Sequence, residues 1–143
     1  MPIIWREAMS VDGGVIDRDH KALIAIINEF GDTLPYIDAR EHLRSIIFKL
    51  ENYATLHFRR EEALQKSINY PEHESHCQEH AKLIEALSRV QQELTAAQEI
   101  ELDVVHKRLT DFLHRWLVEH VIKLDLRMKP FAGQLRTQTG QGR

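Results

Sequence analysis

Apolar residues recur along this chain with the spacing of helices, and nowhere with the alternation of strands. Residues 1–16 break the pattern: Pro2 comes early, Gly13-Gly14 interrupts any helix, and Ile3, Ile4 and Trp5 supply apolar anchors. The reading is an irregular N-terminal arm packed on the domain. Leu23, Ile24, Ile27 and Phe30 then set a first helix at about residues 18–34, ended by Leu34-Pro35, where proline would clash with a continuing helix. Asp38 followed by Glu41 has the form of a helix start. From there Leu43, Ile46, Ile47, Leu50, Tyr53, Ala54 and Leu64 carry a long second helix to about residue 66. Asn69-Tyr70-Pro71 is a break, and Leu83, Ile84, Leu87, Val90 and Leu94 mark a third helix ending near residues 95–98. Leu102, Val105, Leu109, Phe112, Leu113, Trp116 and Leu117 mark a fourth, which runs to Met128 and stops before Pro130. Four amphipathic helices on short connections predict an all-α fold, an up-down-up-down four-helix bundle with its core between facing helices. One domain covers residues 1–132, and the polar, Gly/Gln-rich stretch 133–143 reads as a frayed, disordered tail.

Composition narrows the function without naming it. The 143 residues suffice for one self-supporting core. With 19 Lys plus Arg against 22 Asp plus Glu, in no long block of either sign, the charge pattern argues against a nucleic-acid or polybasic membrane partner. No segment has the length of a membrane span or the form of a leader. Cys77 is the single cysteine, so there is neither an intramolecular disulfide nor a Cys-rich zinc site, and a cytoplasmic location is the expectation.

The chemistry lies in a few polar residues set within the helical pattern. His57 and Glu61 are four residues apart, as are His76 and His80, so each pair projects from one helix face. His120 and Asp125 are five apart, roughly 140° around an ideal helix, and a bridging carboxylate or a local π-type widening would reconcile them. With His20 near the start of the first helix, the set comprises five imidazoles and two carboxylates. Carboxylates bridge cations and offset their charge while neutral imidazoles add none, a mixed field that suits iron over calcium or magnesium. Cys77 follows His76, so the His-Glu-x-x-His pattern of zinc hydrolases is absent, and no Glu is followed by His three residues later, as the ferritin-like carboxylate bundles require.

Taken in order, Asp17-x-x-His20, His57-Phe58-x-x-Glu61, His76-x-x-x-His80 and Trp116-Leu117-x-x-His120-x-x-x-x-Asp125 resemble the hemerythrin family, its bacterial single-domain branch in particular, from Trp5 to about Pro130. The resemblance implies two iron ions with a bridging oxo or hydroxo group. It places His76, His80 and His120 on one iron, His20 and His57 on the other, and Glu61 and Asp125 as bridges. Dioxygen would then bind reversibly at the less ligated iron, that of His20 and His57. An apolar pocket of Leu23, Phe58, Trp116 and Leu117 would keep water away, with most weight on Leu117, one turn before His120. The implied role is oxygen storage, delivery or buffering with no catalytic residue; the alternatives are an enzyme acting on peroxide or nitric oxide, and a sensor signalling through the arm or tail. An electron donor or an oxygen recipient is the partner expected beyond dioxygen.

The remaining histidines, His42, His73, His106 and His114, read as ordinary surface or packing residues, and Cys77 as a small filler. Arg59, Arg60, Glu62, Lys66 and Lys123 read as a solvated face, while Glu119 and Arg127 are near enough in sequence to support the metal ligands. Met128 stands three residues after Asp125, where animal members of the family carry tyrosine, so a supporting hydroxyl is expected to be missing there.

Overall fold

A computed structural model of the chain describes residues 2–33 and 39–139. Four main helices carry the apolar periods: α1 (Val15–Asp32), α2 (Ala39–Ser67), α3 (His73–Ala96) and α4 (Leu102–Arg115). The chain continues from α4 through a π-helical segment, Trp116–Ile122, a single turn α5 (Lys123–Asp125), a 3-10 stretch, Leu126–Phe131, and α6 (Ala132–Thr139). There is no strand among the described residues. Each main helix packs on its neighbours in sequence and α4 closes on α1, which makes an all-α four-helix bundle. The expected stop at Leu34-Pro35 and the Asp38 part of the α2 start signal lie outside the described residues.

α1 begins earlier than its apolar period suggests, because a polar turn organises its entry. Gly13 adopts a left-handed φ of +66°, and the Asp12 carboxylate accepts the amides of Gly14 at 2.8 Å and of Ile16 and Asp17 at 3.2 Å. Asp17 accepts in return from the amides of Val11 at 2.7 Å and Gly13 at 3.0 Å and from the Ser10 hydroxyl at 2.6 Å. The Asp of the Asp-x-x-His motif is thus a clamp on the loop before the helix.

The main core joins all four helices, with Leu23, Ile27, Phe30, Leu43, Ile47, Leu50, Leu87 and Leu113 buried. Each such side chain stabilises the fold by about 1.5–3 kcal/mol relative to exposure. At the close approach of α1 and α4, a Cβ on Gly31 would meet Thr110 Cγ2 at 3.1 Å, so the small residue sets the helix spacing there. The N-terminal arm docks as expected: Ile3, Trp5 and Met9 pack on this core, and Asn28 exchanges two hydrogen bonds with the backbone of Ile3, at 2.8 and 2.9 Å.

A second, smaller core of Val11, Ile16, Tyr70, Met128 and Leu135 closes the other end of the site region. Leu135 stands within the stretch expected to be a frayed tail. It is buried, and one turn of apolar contact is enough to fold the first part of that polar stretch, Ala132–Thr139, as α6. Residues 140–143 lie outside the described residues.

Candidate metal centre

Six of the seven expected ligands converge in the bundle interior. His20 comes from α1, His57 and Glu61 from α2, His76 and His80 from α3, and Asp125 from α5, and all six are buried. They form two overlapping groups, His20, His57, Glu61 and Asp125, and Glu61, His76, His80 and Asp125. Within each group the ligand atoms lie within 4.8 Å of one another. The two carboxylates belong to both groups.

The distances show how they are shared. Asp125 Oδ2 is 2.7 Å from His20 Nε2 and 3.2 Å from His57 Nε2, while its Oδ1 is 3.0 Å from His76 Nε2. Glu61 Oε1 is 3.0 Å from His80 Nε2 and 3.4 Å from His76 Nε2, while Oε2 faces His57 Nε2 at 3.3 Å without hydrogen-bond geometry. Each carboxylate therefore turns one oxygen toward the α1/α2 histidines and the other toward the α3 histidines, an arrangement that fits two adjacent cations bridged by both.

The electrostatics of these side chains point the same way. Burial alone would raise Asp125, but hydrogen bonding with Glu61, His20, His57 and His76 outweighs it and holds the carboxyl well below the usual range. Burial would lower the histidines, yet Asp125 and Glu61 push His76 up to about 9, and Glu61, Asp125 and Asp19 push His57 well above its ordinary value. Imidazolium protons thus supply the positive charge that two buried carboxylates demand. Cations could supply it instead.

His120, the seventh residue expected as a ligand, stays outside both groups. Its side chain is exposed and lines a surface cavity of about 590 Å³ together with Glu79, Glu119 and Lys123. The backbone accounts for this. The π-type widening is present, but it ends at Ile122 and α-helical geometry resumes before Asp125, so only part of the five-residue step is widened and His120 stays off the face of Asp125.

The pocket candidates Leu23, Phe58, Trp116 and Leu117 are all buried in the main core. Phe58 stacks on His80 with ring centroids 3.9 Å apart, and its centroid lies 5.8 Å from that of His57, so it covers the α3 histidine more closely than the α2 one. Trp116 is anchored by its indole N–H to the Leu83 carbonyl at 2.9 Å.

Two residues read as solvated face belong instead to the site. Arg60 donates to Asp19 at 2.7 and 3.1 Å, and Glu62 Oε2 lies 2.7 Å from His80 Nδ1. Asp19 itself, 2.7 Å from His57 Nδ1, carries no mark in the sequence beyond preceding His20. Of the residues near Asp125 in sequence, Arg127 pairs with Glu72 at 3.8 Å, and both it and Glu119 line the cavity beside His120. Met128 is buried, with Sδ accepting from the Gln65 amide at 3.4 Å, and Tyr70, in the same core, has a buried hydroxyl without a hydrogen-bond partner among the described residues. The four histidines read as ordinary stay outside the ligand groups; His106 ties α4 to the Phe30 carbonyl at 2.7 Å and His73 bonds Gln65 at 2.9 Å.

Comparison with known proteins agrees with this geometry. A family model described as the hemerythrin HHE cation binding domain matches residues 14–132. A bacteriohemerythrin of Clostridium acetobutylicum is 27% identical over 125 residues, 85% of this chain and 95% of the relative. One from Methylococcus capsulatus is 30% identical over 112 residues, 78% of this chain and 82% of the relative. A hemerythrin-like protein of Naegleria gruberi is 25% identical over 128 residues, covering 90% and 92%. With a match across most of its length and buried histidines and carboxylates gathered between its helices, the chain belongs to the hemerythrin family.

Proposed function

We propose that this chain binds dioxygen reversibly at two non-heme iron ions bridged by Glu61, Asp125 and an oxo or hydroxo group, serving oxygen storage, delivery or buffering without catalytic turnover. The observation that supports this most is the division of each carboxylate's oxygens between the two histidine pairs. When bound, a pair of irons supplies two electrons to dioxygen, which a single iron of the same kind does not.

The residues have separate tasks in this reading. His20 and His57 hold one iron; His76 and His80 hold the other, with His120 as its third histidine, turned in from the surface cavity on loading. That set would give one iron three histidines and the other, held by His20 and His57, only two, so the latter would be the one with room for dioxygen. Leu23, Phe58, Trp116 and Leu117 exclude water and with it the protons that would drive off a reduced oxygen species. The single cysteine suits a reducing, cytoplasmic setting. Among the described residues no helix is long and apolar enough to cross a membrane.

Iron content and the visible spectrum test the reading together. Reduced, iron-loaded protein is expected to hold two irons per chain and to gain, in air, a visible band that disappears under vacuum. One iron per chain or an irreversible band overturns it. Steady peroxide consumption with an electron donor, abolished by His57→Ala, would assign the site to an enzyme.

A further inference from the structure

We infer that Asp19, locked by Arg60, is a positioning residue for His57 and thereby for the metal position that His57 shares with His20; this rests on the di-iron reading above. Asp19 lies on α1 immediately before His20 and is 2% exposed. Its Oδ2 is 2.7 Å from His57 Nδ1 and accepts from Arg60 Nε at 3.1 Å. Its Oδ1 accepts from Arg60 Nη2 at 2.7 Å and from the Tyr53 hydroxyl at 3.2 Å. Tyr53, His57 and Arg60 are spaced along α2 on one helical stripe, so a single face of α2 grips this carboxylate.

The consequence falls on the far side of the imidazole. A carboxylate held at both oxygens fixes the N–H of His57 at Nδ1, so that Nε2, which faces Asp125 Oδ2 at 3.2 Å and Glu61 Oε2 at 3.3 Å, is the nitrogen left to take a cation in place of its proton. Arg60 also offsets the charge of Asp19, so a third buried carboxylate stands behind the site without adding an uncompensated negative charge to Glu61 and Asp125. The other three histidines are supported less or not at all. The Nδ1 atoms of His20 and His76 are buried with no hydrogen-bond partner among the described residues. That of His80 meets Glu62, whose side chain is 33% exposed against 3% for Asp19.

The test compares the full-length, iron-loaded wild type with Asp19→Asn and Arg60→Gln by the rate at which a ferrous chelator extracts iron, with Mössbauer spectra to resolve the two irons. Asp19→Asn is expected to release one iron about 10–100-fold faster and leave the other at the wild-type rate. Arg60→Gln is expected to loosen the same iron by a smaller factor. Arg60 is 38% exposed, so the second variant decides the matter should Asp19→Asn not fold. Melting temperatures of the metal-free proteins separate this effect from a general loss of stability. Two irons lost at wild-type rates, or both loosened equally, would overturn the inference while leaving the di-iron reading intact. A wild type holding one iron overturns the di-iron reading, and that iron must then still be loosened by Asp19→Asn for the inference to survive.

Discussion

His20 Nε2 stands 2.7 Å from Asp125 Oδ2, a contact between residues 105 positions apart with both side chains buried. It joins α1 to the turn beyond the π segment, and Asp125 extends it to His57 and His76, so one carboxylate ties three of the four helices together at the site.

Removing that carboxylate should therefore cost more than removing any one histidine. Asp125→Ala is expected to abolish the loading of both irons, whereas His80→Ala should spare one. In the metal-free protein at pH 6, Asp125→Ala leaves buried imidazolium without its partner and should lower stability by about 3–5 kcal/mol. Elemental analysis and urea unfolding in the presence of a chelator measure the two effects. Retention of one tightly bound iron in Asp125→Ala would show that the residue does not bridge.

The same charges give the metal-free and loaded proteins opposite responses to pH. The His76 imidazole, with an ordinary value of 6.5, rises to about 9 on folding despite burial, because Asp125 and Glu61 bond it, and His57 moves the same way. Groups raised on folding stabilise fully below pH 6.5, and this contribution fades as the pH rises through 9. Asp125, depressed from 3.8, contributes above that value and loses its contribution as the pH falls through its folded value. The melting temperature of the metal-free protein should thus fall between pH 7 and 10. Iron requires deprotonated Nε2 atoms, so loading should release protons and strengthen over the same interval. A metal-free melting temperature that climbs from pH 7 to 10 would contradict the assignment.

His120 offers a test of the seventh ligand. Exposed in the structure, it should react readily with diethylpyrocarbonate in metal-free protein and become protected on iron loading if it turns inward. Peptide mapping by mass spectrometry reads the modification residue by residue. Equal reactivity in both states would leave a six-residue site with two histidines on each metal.

Leu117 is buried in the main core one turn before His120. Leu117→Ala should lower stability by about 2–5 kcal/mol through the cavity it leaves, and should shorten the life of the oxygenated form by admitting water. Leu94→Ala is the control, since Leu94 is equally buried but lies 14 residues beyond His80, about 21 Å along α3. It should match the loss of stability and leave the decay of the visible band unchanged. Equal acceleration in both variants would remove Leu117 from the pocket.

The helices and most of the buried cluster of histidines and carboxylates were readable from the chain alone for a shared reason. Burying one face of a helix imposes a period on the sequence, and ionisable residues set into that face are costly unless they meet metal or each other, so His57, Glu61, His76 and His80 stand out at their spacing. That logic reaches as far as one helix can. It could name His120 and Asp125 as a pair and mark the step between them as irregular; where the widened segment ends, and hence on which side of the helix His120 emerges, depends on the packing of that segment. Asp19, Arg60 and Glu62 look like any solvated charges until α1, α2 and α3 are laid side by side, because a polar residue's role is set by the element it faces. Leu135, alone in a polar tail, is buried only by packing with Val11, Tyr70 and Met128, residues far from it in the chain or on another element. The sequence by itself determined the helical bundle and the residue types of its metal chemistry, since both follow from local periodicity and the cost of burying charge. Only the tertiary structure decided how each carboxylate is divided between two histidine pairs, which histidine is buttressed and which is left outside, since those depend on contacts between residues far apart in the chain.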